Sequence, residues 1–237
     1  MSENDRNGIL ITFEGGEGVG KSTHIKILAA RLAADGFDVV TLREPGGTVV
    51  SEKIRTLLLD PENAGLAPRT ELLLYEAARA QLVTECILPA LQRGAVVLCD
   101  RYLDSTTAYQ GYGRGLDIQL VTLANRLGSL GVMPTRTVLL VDDWQLALDR
   151  ARLQGADRLE AENHEFHRMV NVGFARIASE DPGRVKVVEL QDDIRATASL
   201  VFAAVADLFE DDLPDEFDIP SELLEEILAT MPEQPGK

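Results

Sequence analysis

The sequence predicts an α/β fold, a doubly wound five-stranded parallel sheet flanked by helices. Three observations carry that expectation. Five short runs rich in Val, Ile and Leu, at 9–13, 37–42, 95–99, 137–142 and 185–190, read as buried parallel strands. Helix-patterned stretches separate them, which is the βα alternation of such a sheet. The first strand runs directly into Gly15-Gly16-Glu17-Gly18-Val19-Gly20-Lys21-Ser22-Thr23 and then a helix-patterned segment, Lys21 to Ala34.

That strand–loop–helix junction fits the phosphate-loop pattern, Gly, four residues, then Gly-Lys-Ser/Thr. Glycines let successive backbone N–H groups point at one anion, and the helix adds the positive end of its dipole. The pattern places Lys21 between the β- and γ-phosphates of a nucleotide and the Ser22 hydroxyl on Mg²⁺. Between the second and third strands there is room for helices near 47–59 and 68–92. Pro68 suits the start of the latter and Gly94 its stop. Past the third strand, helical patterns at Asp104–Gly111 and Leu116–Leu130 flank a glycine cluster, Gly111 to Gly115, that reads as a loop. From Trp144 a helix runs to about Gln154, breaks at Gly155-Ala156-Asp157 and restarts near Glu160 for a long segment to Ala178. Ala196 to Phe209 reads as the last packing helix.

The 237 residues fit a domain over 1–210 and an acidic tail over 211–237. The net charge is −16, and from Asp207 onward 11 acidic residues stand against Lys237 alone, leaving −6 for the body. Such a balance argues against a nucleic-acid surface. The tail reads either as a solvated segment or as one short helix, near Ser221–Leu228, docking through Leu223, Leu224, Ile227 and Leu228. Ser221 is the expected cap of that helix. Cys86 and Cys99 sit in apolar runs and read as small buried hydrophobes, not a disulfide or metal site. No run is long and apolar enough to span a membrane, and Met1 to Asn7 lacks a signal-peptide core, so the expectation is a cytoplasmic protein that engages no membrane.

Two further groups follow strands two and three: Arg43-Glu44-Pro45-Gly46-Gly47-Thr48 and Asp100-Arg101-Tyr102. Ligands of open α/β sheets bind outside the carboxyl ends of the strands, so both should face the phosphate loop. A guanidinium there can hold a second phosphate bidentately, the alternative being a surface ion pair. Asp100 is placed to bind Mg²⁺ directly or through water.

Taken with Glu71-Leu72-Leu73-Leu74-Tyr75-Glu76-Ala77-Ala78-Arg79 and Asp100-Arg101-Tyr102-Leu103-Asp104-Ser105-Thr106-Thr107-Ala108-Tyr109-Gln110-Gly111, these motifs resemble bacterial thymidylate kinase, a P-loop nucleoside monophosphate kinase, over roughly residues 8–205. The resemblance implies ATP-dependent phosphorylation of dTMP to dTDP, Mg²⁺ as cofactor, and a homodimer. It implies that Tyr75 stacks on thymine, where phenylalanine is usual, that Arg79 hydrogen-bonds the base, and that Pro45 is among the substrate-binding residues. Ser105 and Thr106 would read the base edge, Gln110 would lie nearby, and Tyr109 would crowd a 2′-hydroxyl. Glu17 would reach the sugar 3′-hydroxyl, while Arg101, with Arg43 as the weaker candidate, would grip the acceptor phosphate. Asp149 to Glu160 resembles the family's helical lid, so Arg150, Arg152 and Arg158 would share the catalytic arginine role. The rivals are a kinase for another nucleotide or nucleoside, and a catalytically silent nucleotide-binding module. A GTPase-type switch is disfavoured, because no Asn-Lys-x-Asp motif occurs.

Overall fold

The computed structural model describes residues 8–153, 157–209 and 219–230. Five strands, β1 (Ile9–Glu14), β2 (Val39–Arg43), β3 (Val96–Asp100), β4 (Arg136–Val141) and β5 (Val185–Glu189), form one parallel sheet in the order β2-β3-β1-β4-β5. The inner strands β1, β3 and β4 are almost wholly buried, as their unbroken apolar runs require. The edge strands are only partly covered, so there the runs do not mean full burial. One face packs on α1 (Lys21–Ala34) and α9 (Ile194–Ala203), with Leu28, Leu32, Val201 and Phe202 in the core. The other face packs on α3 (Pro68–Leu82) and α4 (Leu88–Gln92) through Leu82, Val83, Ile87 and Ala90. Fully burying one such side chain stabilises by about 1.5–3 kcal/mol, so each face contributes through many residues rather than one.

The stretch from 68 to 92 stays helical throughout, but a wider π-turn at Val83–Ile87 joins α3 to α4. Pro89 explains it: it has no N–H and its ring would crowd the preceding turn, so the chain widens just ahead of it. Between β2 and α3, helix α2 (Val49–Leu59) is capped by the Thr48 hydroxyl, which accepts from the Ser51 N–H.

The glycine cluster after β3 is not the loop its composition predicts. Helix α5 (Leu103–Thr106) continues as a π-turn through Thr107–Gly113, and only Arg114-Gly115 turns away before α6 (Ile118–Gly128). Gly113 serves close packing: a Cβ there would lie 2.7 Å from the Phe166 ring on α8 (His164–Glu180). Helix α7 (Trp144–Arg152) precedes α8, which starts later than the sequence suggests because the Asn163 side chain caps it at Phe166 N–H. Gln154, Gly155 and Ala156 lie outside the described residues. Helix α9 stops at Ala203, and a short 3₁₀ turn, Ala206–Leu208, follows. Cys99 is buried, whereas Cys86 is half-buried beside the Gly47 carbonyl.

A last helix, α10 (Ser221–Ala229), lies on the body. Ile219 and Leu224 are buried against Ile27 of α1 and Ala198 of α9, while Leu228 stays exposed. Ser221 does not cap it; Pro220 holds the cap position, and the Ser221 hydroxyl accepts from Arg195. The acidic stretch 210–218 that leads into it is outside the described residues.

On α1, one turn past the glycine loop, His24 is buried and its Nδ1 has no partner among the described residues. Burial pushes its pKa down from 6.5 to about 4. The unfolded chain therefore takes that proton first. The stabilisation from keeping His24 neutral is complete above pH 6.5 and is lost as the pH falls towards 4, at a cost on the order of 2–3 kcal/mol. H24Q is expected to flatten the fall of melting temperature across that window; an unchanged slope would show that other groups set it.

Candidate active site

The site begins with a register. Phe13 of β1 pairs with Asp100 of β3, and Arg43 of β2 pairs with the same Asp100. Three strands thus end side by side, and whatever follows each of them opens into one cleft of about 640 Å³. Gly15 (φ 130°) and Gly18 (φ 68°) carry the loop past β4 and α7, where a Cβ would meet the Leu140 and Ala147 carbonyls at 2.3 and 2.1 Å. Lys21 Nζ donates to the Gly16 carbonyl at 2.6 Å and the Gly15 carbonyl at 3.3 Å, so the loop curls around its ammonium. Burial, with Arg101 nearby, pushes the Lys21 pKa down to about 8, against the pull of Asp100 and Glu17. An arriving polyphosphate restores the full charge.

The Ser22 hydroxyl donates to Asp100 Oδ2 at 2.7 Å. These are two hard oxygen donors converging beside the phosphate loop, which is the donor set a hydrated Mg²⁺ takes. The residues fit such an ion.

Arg101 faces them. Its backbone is left-handed (φ 67°), a conformation costing an arginine about 1–3 kcal/mol. Its guanidinium donates to the Gly15 carbonyl at 3.0 Å, pairs with Glu17 at 2.8 Å and lies 5.0 Å from the Tyr109 ring centre. The Tyr109 hydroxyl donates to Glu17 Oε1 at 2.7 Å. Burial would raise the Glu17 pKa, but Arg101, Lys21 and Tyr109 hold it down to about 2. Glu17 is therefore a fixed anion between the two cationic seats.

Tyr75 and Pro45 line the same cleft. Tyr75 packs into the cluster of Tyr109, Leu159 and Phe166, and burial with the neighbouring Glu71 raises its pKa, so it stays a neutral phenol. Arg79 is 1 % exposed and bonds Glu44 at 2.8 Å, Glu76 and Asn125 at 2.7 Å, and the Thr106 hydroxyl at 2.8 Å. Those bonds use four of its five N–H groups, leaving one. Arg79 thus braces β2, α3, α5 and α6 around the cleft before it meets any ligand. Ser105 and Thr106 line the cleft too, but both hydroxyls are engaged, Ser105 with Glu14 and Arg101. Gln110 is held by Glu71 at 2.8 Å.

The remaining arginines separate. Arg43 forms the surface ion pair that was its alternative reading, reaching both Glu52 oxygens at 3.0 and 3.1 Å on the cleft rim. Of Arg150, Arg152 and Arg158 only Arg150, paired with Asp142, lines the cleft. Arg152 donates to the carbonyls of Glu160 and Glu162 at 2.9 and 2.8 Å. Arg158 is buried, bonded to the Leu58 carbonyl at 2.6 Å and to Glu71 at 2.6 Å, and does not line the cleft. Arg55 was missed: half-buried, it lines the cleft and holds the Pro45 carbonyl at 2.9 Å. Its local sequence is that of any surface helix, and only the packing of α2 beside the β2 end points it inward.

A glycine loop around a lysine, a hydroxyl–carboxylate pair and an opposed, preformed guanidinium define a P-loop phosphotransferase with two anion seats. The family model for thymidylate kinase matches residues 13–201, and the chain belongs to that family. It is 43 % identical over 198 residues to the thymidylate kinase of Caldanaerobacter subterraneus subsp. tengcongensis, covering 84 % of this chain and 95 % of that one. Against the thymidylate kinase of Geobacter sulfurreducens it is 45 % identical over 214 residues, covering 87 % and 99 %. The crystal structure of thymidylate kinase from Ehrlichia chaffeensis superposes with a TM-score of 0.69 at 33 % identity, covering 84 % of this chain and 99 % of that one.

Arg150 and Arg158 should answer mutation differently. R150A is expected to lower turnover by about 10²-fold with an unchanged melting temperature. R158A removes one of the two arginines paired with the buried Glu71, leaving Arg114 in place, and is expected to cost about 1–3 kcal/mol of stability. Equal effects of the two on both readouts would erase the distinction.

Proposed function

We infer that the protein transfers the γ-phosphoryl group of ATP to dTMP, giving ADP and dTDP for dTTP synthesis in the cytoplasm. The observation that carries this is Arg101, locked in a left-handed turn across the cleft from Lys21, Ser22 and Asp100. Lys21 and the loop amides bind the donor phosphates; Ser22 and Asp100 would hold Mg²⁺, which would supply charge neutralisation there. Arg101 grips the acceptor phosphate, Glu17 takes the sugar 3′-hydroxyl, and Tyr75 stacks on the base. Arg79 offers its remaining N–H to that base, and Tyr109, fixed by its bond to Glu17, crowds the 2′ position.

An acceptor phosphate oxygen attacks the γ-phosphorus as the bond to the β-phosphate oxygen breaks. The acceptor has a second pKa of about 6, so it arrives already anionic and needs no general base. His24 and His167 fit that view, since burial holds both pKa values down. The chain's own task is positioning and charge balance, with Arg150 closing over the transferring group and water kept out. We assign the kinase domain to 1–210, with the lid at about 149–160, and the appended acidic segment to 211–237.

K21A and R101A are each expected to lower turnover by about 10²–10³-fold in folded protein, in an assay of ADP release. With dTMP, dUMP and UMP side by side, dTMP should be favoured; ADP release without dTMP preference would point to another nucleotide, and none with any acceptor to a silent binding module.

The homodimer is proposed from one surface. Leu120, Leu123 and Leu127 of α6 and Leu73 of the adjoining α3 are exposed at 38, 67, 74 and 64 %. A leucine face of this kind marks an association surface. The double variant L123E/L127E is expected to sediment as a monomer where the parent chain sediments as a dimer.

A further inference from the structure

Glu14, the last residue of β1, takes no part in the chemistry above, yet it is wholly buried and bonded to the turn that carries Arg101. Its Oε1 accepts from the Tyr102 N–H at 2.8 Å, and its Oε2 accepts from the Ser105 hydroxyl at 2.5 Å. The Ser105 oxygen in turn accepts from Arg101 Nη1 at 3.1 Å, the same nitrogen that reaches the Gly15 carbonyl. The Arg101 N–H donates to the Phe13 carbonyl at 2.9 Å. The last two residues of β1 therefore hold the backbone on both sides of the left-handed residue. Through one hydroxyl, they also hold its guanidinium.

An acid is an expensive way to fill this space. No salt-bridge partner lies within ion-pair distance of Glu14 among the described residues, whereas the neighbouring Asp104 is taken by Arg184 at 2.6 and 3.0 Å. Burial, reinforced by Asp104, pushes the Glu14 pKa up to about 8 even though Ser105, Arg101 and the Tyr102 N–H pull it down. A methionine of similar length would pack there without the desolvation cost, so packing alone does not account for a carboxyl group. What a methionine cannot do is accept two hydrogen bonds from two points of the Arg101 turn.

We propose that Glu14 is a positioning residue for the acceptor phosphate: it fixes the turn at Arg101 and, through Ser105, aims the guanidinium. The proposal rests on the reading that Arg101 grips the monophosphate. Because the effect runs through Arg101, it should fall on the acceptor and spare the donor seat built by Lys21 and the loop amides. E14M, E14Q, S105A, E14Q/S105A and R101A are compared with dTMP and ATP varied separately, alongside melting temperature. E14M is expected to raise KM for dTMP and lower kcat, together reducing kcat/KM for dTMP by about 10–100-fold, with KM for ATP unchanged within about twofold. E14Q, which retains one acceptor oxygen, should fall between the parent and E14M, and decides the matter if E14M does not fold. In E14Q/S105A the two losses should fail to add, since both break one relay.

Each of the following results overturns the proposal. If the Glu14 variants lose only melting temperature or active fraction, with both KM values kept, the residue is merely structural. If E14Q and S105A add fully, Ser105 acts on substrate independently of Glu14. If R101A leaves KM for dTMP untouched, the acceptor reading itself fails and the proposal with it; if R101A moves it while Glu14 does not, only the proposal falls.

Discussion

The pairing of β1 with β3 is the constraint on which the rest depends. Hydrogen bonds in a parallel ladder fix which residues lie abreast, and a slip of one residue would turn every side chain to the opposite face. With Phe13 beside Asp100, the loop that begins at Gly15 and the turn that begins at Arg101 leave the sheet at the same height. The Ser22–Asp100 and Arg101–Gly15 bonds follow directly, although 78 and 86 residues separate the partners. Neither anion seat is complete within one segment. The sheet edge assembles both.

Around that edge, charge is balanced before any ligand enters. Arg101 is paired with Glu17, and Arg79 with Glu44 and Glu76. Glu71 holds both Arg114 and Arg158. Removing water from such groups is costly unless partners replace it, and the reward is that the dipoles need not reorganise when phosphates arrive. Glu17 gives the balance its direction, because as a fixed anion it pairs with the Arg101 guanidinium at 2.8 Å. Lys21 complements it, its ammonium held by the Gly15 and Gly16 carbonyls on the other side of the cleft.

The C-terminal helix adds something the family match does not span. The matched region ends at 201, and α10 lies beyond it, yet its Leu224 is buried against Ile27 on the very helix whose N-terminus forms the phosphate seat. Two guanidinium bonds from Arg195, to the Ile219 carbonyl and the Ser221 hydroxyl, anchor its start at 3.1 Å each. Most of the chain's excess negative charge, −10 of −16, thus falls from Asp207 onward, in a stretch whose helix is tied to the body by apolar contact and by Arg195.

The strands, the glycine loop and the order of helices were legible because each is local: apolar runs need only their own residues, and the loop's glycines, lysine and serine are contiguous. Three features were not. The glycines after β3 looked like a loop because composition cannot say that a helix will press against Gly113, and the π-turn at Val83 depended on how Pro89 would be accommodated. Arg43, Arg55, Arg152 and Arg158 look alike in sequence, since a guanidinium's role is set by which carboxylates and carbonyls reach it across the fold. The sequence by itself determined a strand, an anion-binding loop and the chemistry Lys21 and Ser22 can do. Only the tertiary structure decided that Arg101 faces the glycine loop while Arg43 pairs with Glu52 on the rim, and that Glu14 is bonded to the Arg101 turn, because those relations are distances between segments that the sheet register brings together.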